Sequence, residues 1–403
     1  LLSFYRHLFR PVRPDAPEDR LLLLLLRVEL DSAAQETARA LIRAGVDWDR
    51  LLLLAARHRV SALAYVRIQA CFADVMPAAV LAALERVYQA QRWDNLNMTS
   101  QMAKLVEAME RVGVTALPLK GPVVALSLYD NLFLREYKDV DLLVRASELE
   151  RAQAVMEGQG YRLADWLNEA PEKTLNEFHE PQHVTYIRVQ SAQETGVQVE
   201  LHWGIATSFG AFKADEARLW SRVRRETVGG FTLPLLPPDE MLIILLMHGA
   251  KHMWGSLHWL YDLAAFVQRY PDFDWGALLA ETERRGVKRL TLVSFVTAER
   301  VLGLPLPPAV GQAVSADPVT PVMAGFNADL LFDPTPLDTP NGQFRFVLYH
   351  LLMREFLREQ AAYLIYTIRH RRAPATRTLL IELIIGILVI LAVLYFLIGI
   401  LIP

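Results

Sequence analysis

The chain has 403 residues, enough for two or three domains and a sizeable core. Its 42 Lys and Arg against 45 Asp and Glu leave a net charge of −3, which argues against nucleic acid as a partner, since proteins that coat it carry a basic surplus. The single cysteine, Cys71, excludes an internal disulfide framework and a zinc site built on several thiolates, and fits a reducing compartment.

Helical spacing dominates the first part, about residues 19–112, where apolar residues recur three and four apart, as at Leu51, Leu54, Leu63, Val66 and Ile68. Leu21–Leu26, six leucines ended by Arg27, is too short for the apolar stretch of a secretory signal. Pro77 opens a predicted helix through Leu81, Leu84 and Val87; a second spans about Gln91–Val112 and stops at Gly113. Val114–Leu119 then reads as a short strand, Lys120-Gly121-Pro122 as a turn, and Pro122 as the start of a helix to about Tyr129. Asp139–Val144 is a second strand, and Ser147–Glu150 is a capping box that opens a helix ending near Gly158 or Gly160. The alternating runs His183–Val189 and Val197–Trp203 flank a polar segment, Ser191–Gly196, and predict a hairpin. Phe231–Leu235 is a last strand. From Pro237 the pattern is helical again, over Met241–Met253, Leu257–Arg269, Trp275–Arg285 and Lys288–Leu302. Leu304–Pro308 and Asp333–Pro340 are Pro-rich loops, and Phe344–Ile368 is a long amphipathic helix.

Residues 379–402 carry one charge, Glu382. As a helix they would run roughly 36 Å, enough for a hydrocarbon core of ~30 Å. Arg369, His370, Arg371, Arg372 and Arg377 precede this stretch, and positive flanks stay cytoplasmic. The expectation is a single-pass C-terminal anchor holding the upstream chain at the cytoplasmic face of the plasma membrane.

Asp139 and Asp141 alternate on one strand, so both carboxylates share a face, with Cα atoms roughly 6.5–7 Å apart. Two carboxylates that close repel unless a cation lies between them, and oxygen donors favour Mg²⁺ or Mn²⁺. On Val197–Trp203 the residues Gln198, Glu200 and His202 share a face, which makes Glu200 the third ligand. Gly121 allows close backbone approach to phosphate, and Lys120 and Arg135 supply positive charge for it. His248 and His252 lie four apart on one helix face, but Gly249 stands where a zinc protease needs its glutamate. Two readings of this face stay open: a polar surface docked on the strand-rich part, or a cleft wall in which His248, Lys251 and His252 meet phosphate or acceptor. His202 would orient a ligand or cap the cleft, and Asp262 would partner one of these histidines.

The stretch LKGPVVALSLYDNLFLREYKDVDLLV, residues 119–144, resembles the nucleotidyltransferase superfamily with the polymerase-beta-like palm, marked by a glycine turn followed by a D-x-D or D-x-E strand. Together with VELHW (199–203) and MHGAKHMWGSLHWLYDLA (247–264), it resembles more closely an uncharacterised bacterial nucleotidyltransferase family. The resemblance implies Asp139, Asp141 and Glu200 as metal ligands and Gly121 in the nucleotide-phosphate turn. It also implies an α+β architecture, with a palm of mixed sheet and flanking helices between helical regions. The resulting division is a helical region (1–112), a nucleotidyltransferase domain (113–236), a helical domain (237–370), and a basic flank with the anchor (371–403). Pro122, where the superfamily usually has Gly or Ser, has neither N–H nor hydroxyl. The implied activity is metal-dependent transfer of a nucleoside monophosphate from an NTP to an unidentified acceptor, with pyrophosphate leaving. The alternatives are a catalytically silent, membrane-tethered nucleotide-binding scaffold, or a membrane partner of polysaccharide- or peptide-modifying machinery.

Overall fold

The computed structural model describes residues 16–164, 183–188, 196–205, 216–332, 340–355 and 357–370. The leading helices are α1 (Pro17–Leu25), α2 (Ser32–Ala44), α3 (Trp48–Arg57) and α4 (Ser61–Cys71). Aspartates cap two of them: Asp31 accepts from the Ala34 N–H at 2.7 Å and Asp47 from the Arg50 N–H at 3.0 Å. Arg50 reaches Glu18 and Asp19, each at 2.7 Å, and ties α3 to α1. Next comes α5 (Ala78–Arg111), 34 residues long. The two helices expected from Pro77 and Gln91 are thus one, because no Gly or Pro between Pro77 and Gly113 interrupts the hydrogen-bond ladder.

A five-stranded mixed sheet follows, making the fold α+β. Its strands are β1 (Leu117–Pro118), β2 (Asp139–Leu143), β3 (Arg162–Leu163), β4 (His183–Arg188) and β5 (Val197–His202), in the order β1-β2-β5-β4-β3. Only β2 and β5 pair in parallel. Strand β1 is shorter than the expected Val114–Leu119, since only Leu117 and Pro118 pair with β2. Helix α6 (Pro122–Leu128) links β1 to β2, and α7 (Leu149–Gly158) follows β2. The expected capping box is replaced by a 3-10 turn, Ala146–Glu148, in which the Glu148 N–H donates to the Arg145 carbonyl at 2.8 Å. Val140, Leu142, Val199 and Leu201 are wholly buried on one face of the sheet, and α5 packs along β2 and α7. The acidic positions of β2 and β5 are left on the other face.

Helix α8 (Glu216–Arg222) leads into a two-stranded ribbon, β6 (Arg224–Val228) and β7 (Phe231–Leu235), turned at Gly229 and Gly230 with φ of 55° and 84°. Strand β6 goes beyond the sequence expectation: its first four residues are exposed and show no apolar alternation. The following helices are α9 (Pro238–Lys251), α10 (Leu257–Arg269), α11 (Trp275–Arg284) and α12 (Lys288–Leu302). Thr291, Ser294 and Thr297 on α12 are fully buried because each hydroxyl donates to the carbonyl four residues back, at 3.0, 2.7 and 2.7 Å. Two further helices, α13 (Pro308–Val314) and α14 (Val319–Leu330), were not marked by the sequence pattern. The single helix expected over Phe344–Ile368 is two, α15 (Pro340–Leu352) and α16 (Leu357–His370). The break is tertiary in origin. Arg289 of α12 donates to the Leu352 carbonyl at 3.0 Å and the Arg354 carbonyl at 3.3 Å, and its N–H donates to Glu355 at 2.8 Å.

One continuous apolar core runs from Leu21 through the sheet to Met353. No helix among the described residues is long and apolar enough to cross a membrane. The expected span, 379–402, lies outside the described residues, as do its basic flank from 371, most of the hairpin linker (191–195) and the loop 333–339.

Candidate functional site

The turn Lys120-Gly121-Pro122 sets the site against β2. Gly121 has φ 57° and ψ −121°, the first-corner conformation of a type II′ turn, which glycine adopts without strain. A Cβ there would lie 3.0 Å from the Asp139 carbonyl oxygen, so glycine also permits the approach of turn to strand. Pro122 follows at the first helical position, where its fixed φ suits the helix. The Leu119 N–H donates to the Asp141 carbonyl at 3.1 Å and fastens the turn in place. Lys120 then reaches over the sheet, with Nζ 3.0 Å from Asp141 Oδ1 and 3.4 Å from His248 Nδ1.

Strand alternation puts Asp139 and Asp141 on the face opposite Val140 and Leu142. The parallel register pairs Asp141 with Glu200 and Asp139 with Gln198. Neighbouring strands lie ~4.8 Å apart, so the carboxylates of Asp141 and Glu200 stand side by side. His202, two residues beyond Glu200, joins them: Nε2 is 3.1 Å from Asp141 Oδ1 and 3.5 Å from Glu200 Oε2. Across the hairpin its ring packs on His183 at 4.9 Å between centroids. One donor atom each from Asp141, Glu200 and His202 lie within 4.8 Å of one another. The sequence pattern pointed to Asp139, Asp141 and Glu200 as the ligand set. In the structure His202 completes the tightest group, and Asp139 stands one pleat away.

The electrostatics follow from this crowding. Burial would raise the Asp141 carboxyl, 2% exposed, but the Lys120 ammonium and the His202 hydrogen bond outweigh it and hold the group below the usual carboxylate range. Glu200 is also lowered, its burial offset chiefly by the hydrogen bond from His202. Burial, then the Asp141 charge, pushes Asp139 up to about 6. Lys120 is raised despite burial by Asp141, Asp139 and Glu200, and His202 is raised despite burial by its two carboxylate partners. Two carboxylates and an imidazole with donor atoms within 4.8 Å of one another, beside a third carboxylate pushed up by burial and the Asp141 charge, suit a divalent cation, whose charge would relieve that crowding.

Arg135 is placed elsewhere than expected. Its guanidinium is buried and doubly bonded to Asp262, with Nε to Oδ1 at 2.8 Å and Nη2 to Oδ2 at 2.9 Å. Tyr129 donates to the same carboxylate at 2.6 Å, and Asn95 holds the Arg135 carbonyl at 2.9 Å. Arg135 therefore locks the segment before β2 onto α10, with Nε and Nη2 committed to Asp262. Among the described residues Asp262 is correspondingly the partner of Arg135 and Tyr129, not of a histidine.

His248 is the member of its helix face brought to the site, through Lys120. Burial and the Lys120 charge hold its imidazole well below the ordinary range. His252 follows the last turn of α9 and stacks on Trp259 at 5.0 Å and 16°, with His248 edge-on to the same indole at 5.5 Å. Lys251 acts electrostatically on both rings. Gly249 is required by packing, since a Cβ would fall 2.5 Å from the Trp254 ring. Trp259 and His183 go beyond the sequence reading; the signal for His183 was its register opposite His202 in the hairpin.

Residues 44–303, well over half of the chain, match the model of a family described as an uncharacterised nucleotidyltransferase. No curated protein and no solved structure matches the chain.

Proposed function

The chain belongs to this nucleotidyltransferase family, and we propose that it transfers a nucleoside monophosphate from an NTP to an acceptor hydroxyl or phosphate on a polymerase-beta-like palm. The family makes it a nucleotidyltransferase with a nucleoside triphosphate as substrate. The observation that carries the site assignment is the in-register pairing of Asp141 with Glu200, bridged by His202 and adjoining the Gly121 turn through Lys120.

In this reading Asp139, Asp141 and Glu200, with His202, hold Mg²⁺ or Mn²⁺. A divalent ion bound there supplies charge neutralisation for the triphosphate and the attacking oxygen. The acceptor oxygen forms a bond to the α-phosphorus as the bond to pyrophosphate breaks, and the acceptor proton passes to a carboxylate of the same face. Lys120, at the Gly121 turn, exchanges its contact with Asp141 for phosphate oxygens. The helical regions 1–112 and 237–370 flank the catalytic part 113–236, and residues 379–402 tether the enzyme to the cytoplasmic face of the membrane.

NTP turnover with Mg²⁺ or Mn²⁺ tests this. Activity present in the wild type and lost in Asp139→Ala and Asp141→Ala is expected; equal turnover in all three would remove these residues from the mechanism. The second reading, a silent nucleotide-binding scaffold, is favoured by one feature. Pro122 opens α6 without an N–H, so the turn presents one donor fewer to phosphate. Calorimetric binding of NTP without pyrophosphate release would decide for it.

A further inference from the structure

Helix α3 ends in a Schellman turn. The Arg59 N–H donates to the Ala56 carbonyl at 3.0 Å and the Val60 N–H to the Ala55 carbonyl at 2.9 Å. The residue at the left-handed position of this motif is ordinarily glycine, because a Cβ crowds the following carbonyl. Here it is Arg59, at φ 54°. The turn is clamped from outside as well. The His58 carbonyl accepts from Ser256 Oγ at 3.0 Å and from the His258 N–H at 3.3 Å, both at the start of α10. The His58 ring is wholly buried beneath it. An arginine at a glycine position is thus held rigidly between the leading helices and α10.

The clamped turn lies against the start of α10, whose Trp259 packs on His248 and His252 beside the site. The Arg59 guanidinium lies within electrostatic reach of Asp139 on β2, Glu136 just before it, His252 at the end of α9 and His258 on α10. The residue is half-buried, and among the described residues its guanidinium has neither a hydrogen-bond partner nor an ion pair within 4 Å. The other arginine expected at the site is committed, since Arg135 is consumed by Asp262. Lys120 is engaged by Asp141. Arg59 therefore stands on a clamped backbone within electrostatic reach of Asp139, its guanidinium in no hydrogen bond or ion pair among the described residues.

We propose that Arg59 is a substrate-binding residue whose guanidinium grips the phosphate tail of the incoming nucleotide, so that the leading helical region completes the site built on the sheet. This rests on the nucleotidyltransferase reading above. A planar guanidinium offers paired N–H donors that match two phosphate oxygens, and the clamped turn fixes the backbone from which it reaches.

The test uses the full chain in detergent with inorganic tripolyphosphate and Mg²⁺ as the probe, followed by calorimetry, because this probe needs no matching base. Arg59→Gly is the informative variant: glycine relaxes the left-handed turn, so the melting temperature should hold or rise while tripolyphosphate binds about 10–100-fold more weakly. Arg59→Lys should recover part of that loss, and the salt dependence of binding should flatten in Arg59→Gly. Wild-type affinity in Arg59→Gly would overturn the proposal and leave the nucleotidyltransferase reading standing. Failure of the wild type to bind tripolyphosphate or any of the four NTPs would overturn both.

Discussion

Replacing Arg135 with methionine separates two roles for this residue. Sequence position suggests a phosphate ligand; the structure makes it one half of a buried pair. Arg135 is 5% exposed and Asp262 1%, with two parallel hydrogen bonds of 2.8 and 2.9 Å between them. Methionine fills most of the volume but leaves the Asp262 carboxylate buried with Tyr129 as its remaining donor among the described residues. An orphaned buried charge of this kind destabilises by about 3–5 kcal/mol. The double variant Arg135→Met/Asp262→Leu removes both charges and should lie within about 1–2 kcal/mol of the wild type, since a buried ion pair and its apolar replacement are often nearly equivalent. Urea unfolding followed by circular dichroism measures both, and the cycle of single and double variants isolates the coupling. A loss below about 1 kcal/mol in Arg135→Met, within the range of ordinary surface substitutions, would refute the buried-pair argument. Abolished tripolyphosphate binding in a well-folded double variant would restore Arg135 to the phosphate site.

Two further outcomes follow from local geometry. Gly121→Ala combines a positive φ with a Cβ 3.0 Å from the Asp139 carbonyl, so it should destabilise by about 1–3 kcal/mol and weaken nucleotide binding in the same titration; an unchanged melting temperature would show that the turn can relax. His58 is fully buried with neither ring nitrogen hydrogen-bonded among the described residues, and burial, aided by the Arg57 charge, depresses its pKa to about 4. The unfolded chain takes up this proton near pH 6.5 and the folded chain only near 4, so the stability is complete above about pH 6.5 and is lost as pH falls through that window, by about 3 kcal/mol. His58→Leu should flatten that part of a melting curve measured against pH, and an unaltered acid limb would exclude His58 as its source.

Much of the architecture was legible because periodicity is local. The alternation in Asp139–Val144 and Val197–Trp203 marked both strands and assigned their acidic faces, and four of the C-terminal helices follow from apolar spacing and Pro starts. Gly121 was recognisable as the turn glycine from its place between strand and helix. The failures share a cause. Strand β6 is exposed and carries no apolar period, so only its pairing with β7 makes it a strand. The break between α15 and α16 is imposed by Arg289 from another helix, and nothing in Phe344–Ile368 announces it.

For the site the same boundary holds. The sequence by itself determined that Asp139 and Asp141 share a face, that Glu200 and His202 share another, and that a glycine bend precedes them, because side-chain direction along a strand depends only on the residue's parity. Which of these meet was decided by the parallel register of β2 with β5, which sets Asp141 beside Glu200 and lets His202 reach both. Tertiary packing likewise withdrew Arg135 into a pair with Asp262, 127 positions away, and brought Arg59 from the leading helices toward the acidic face. Charge can be read from the residue type, but its availability depends on what lies within a few ångströms, and that is fixed only when distant segments pack.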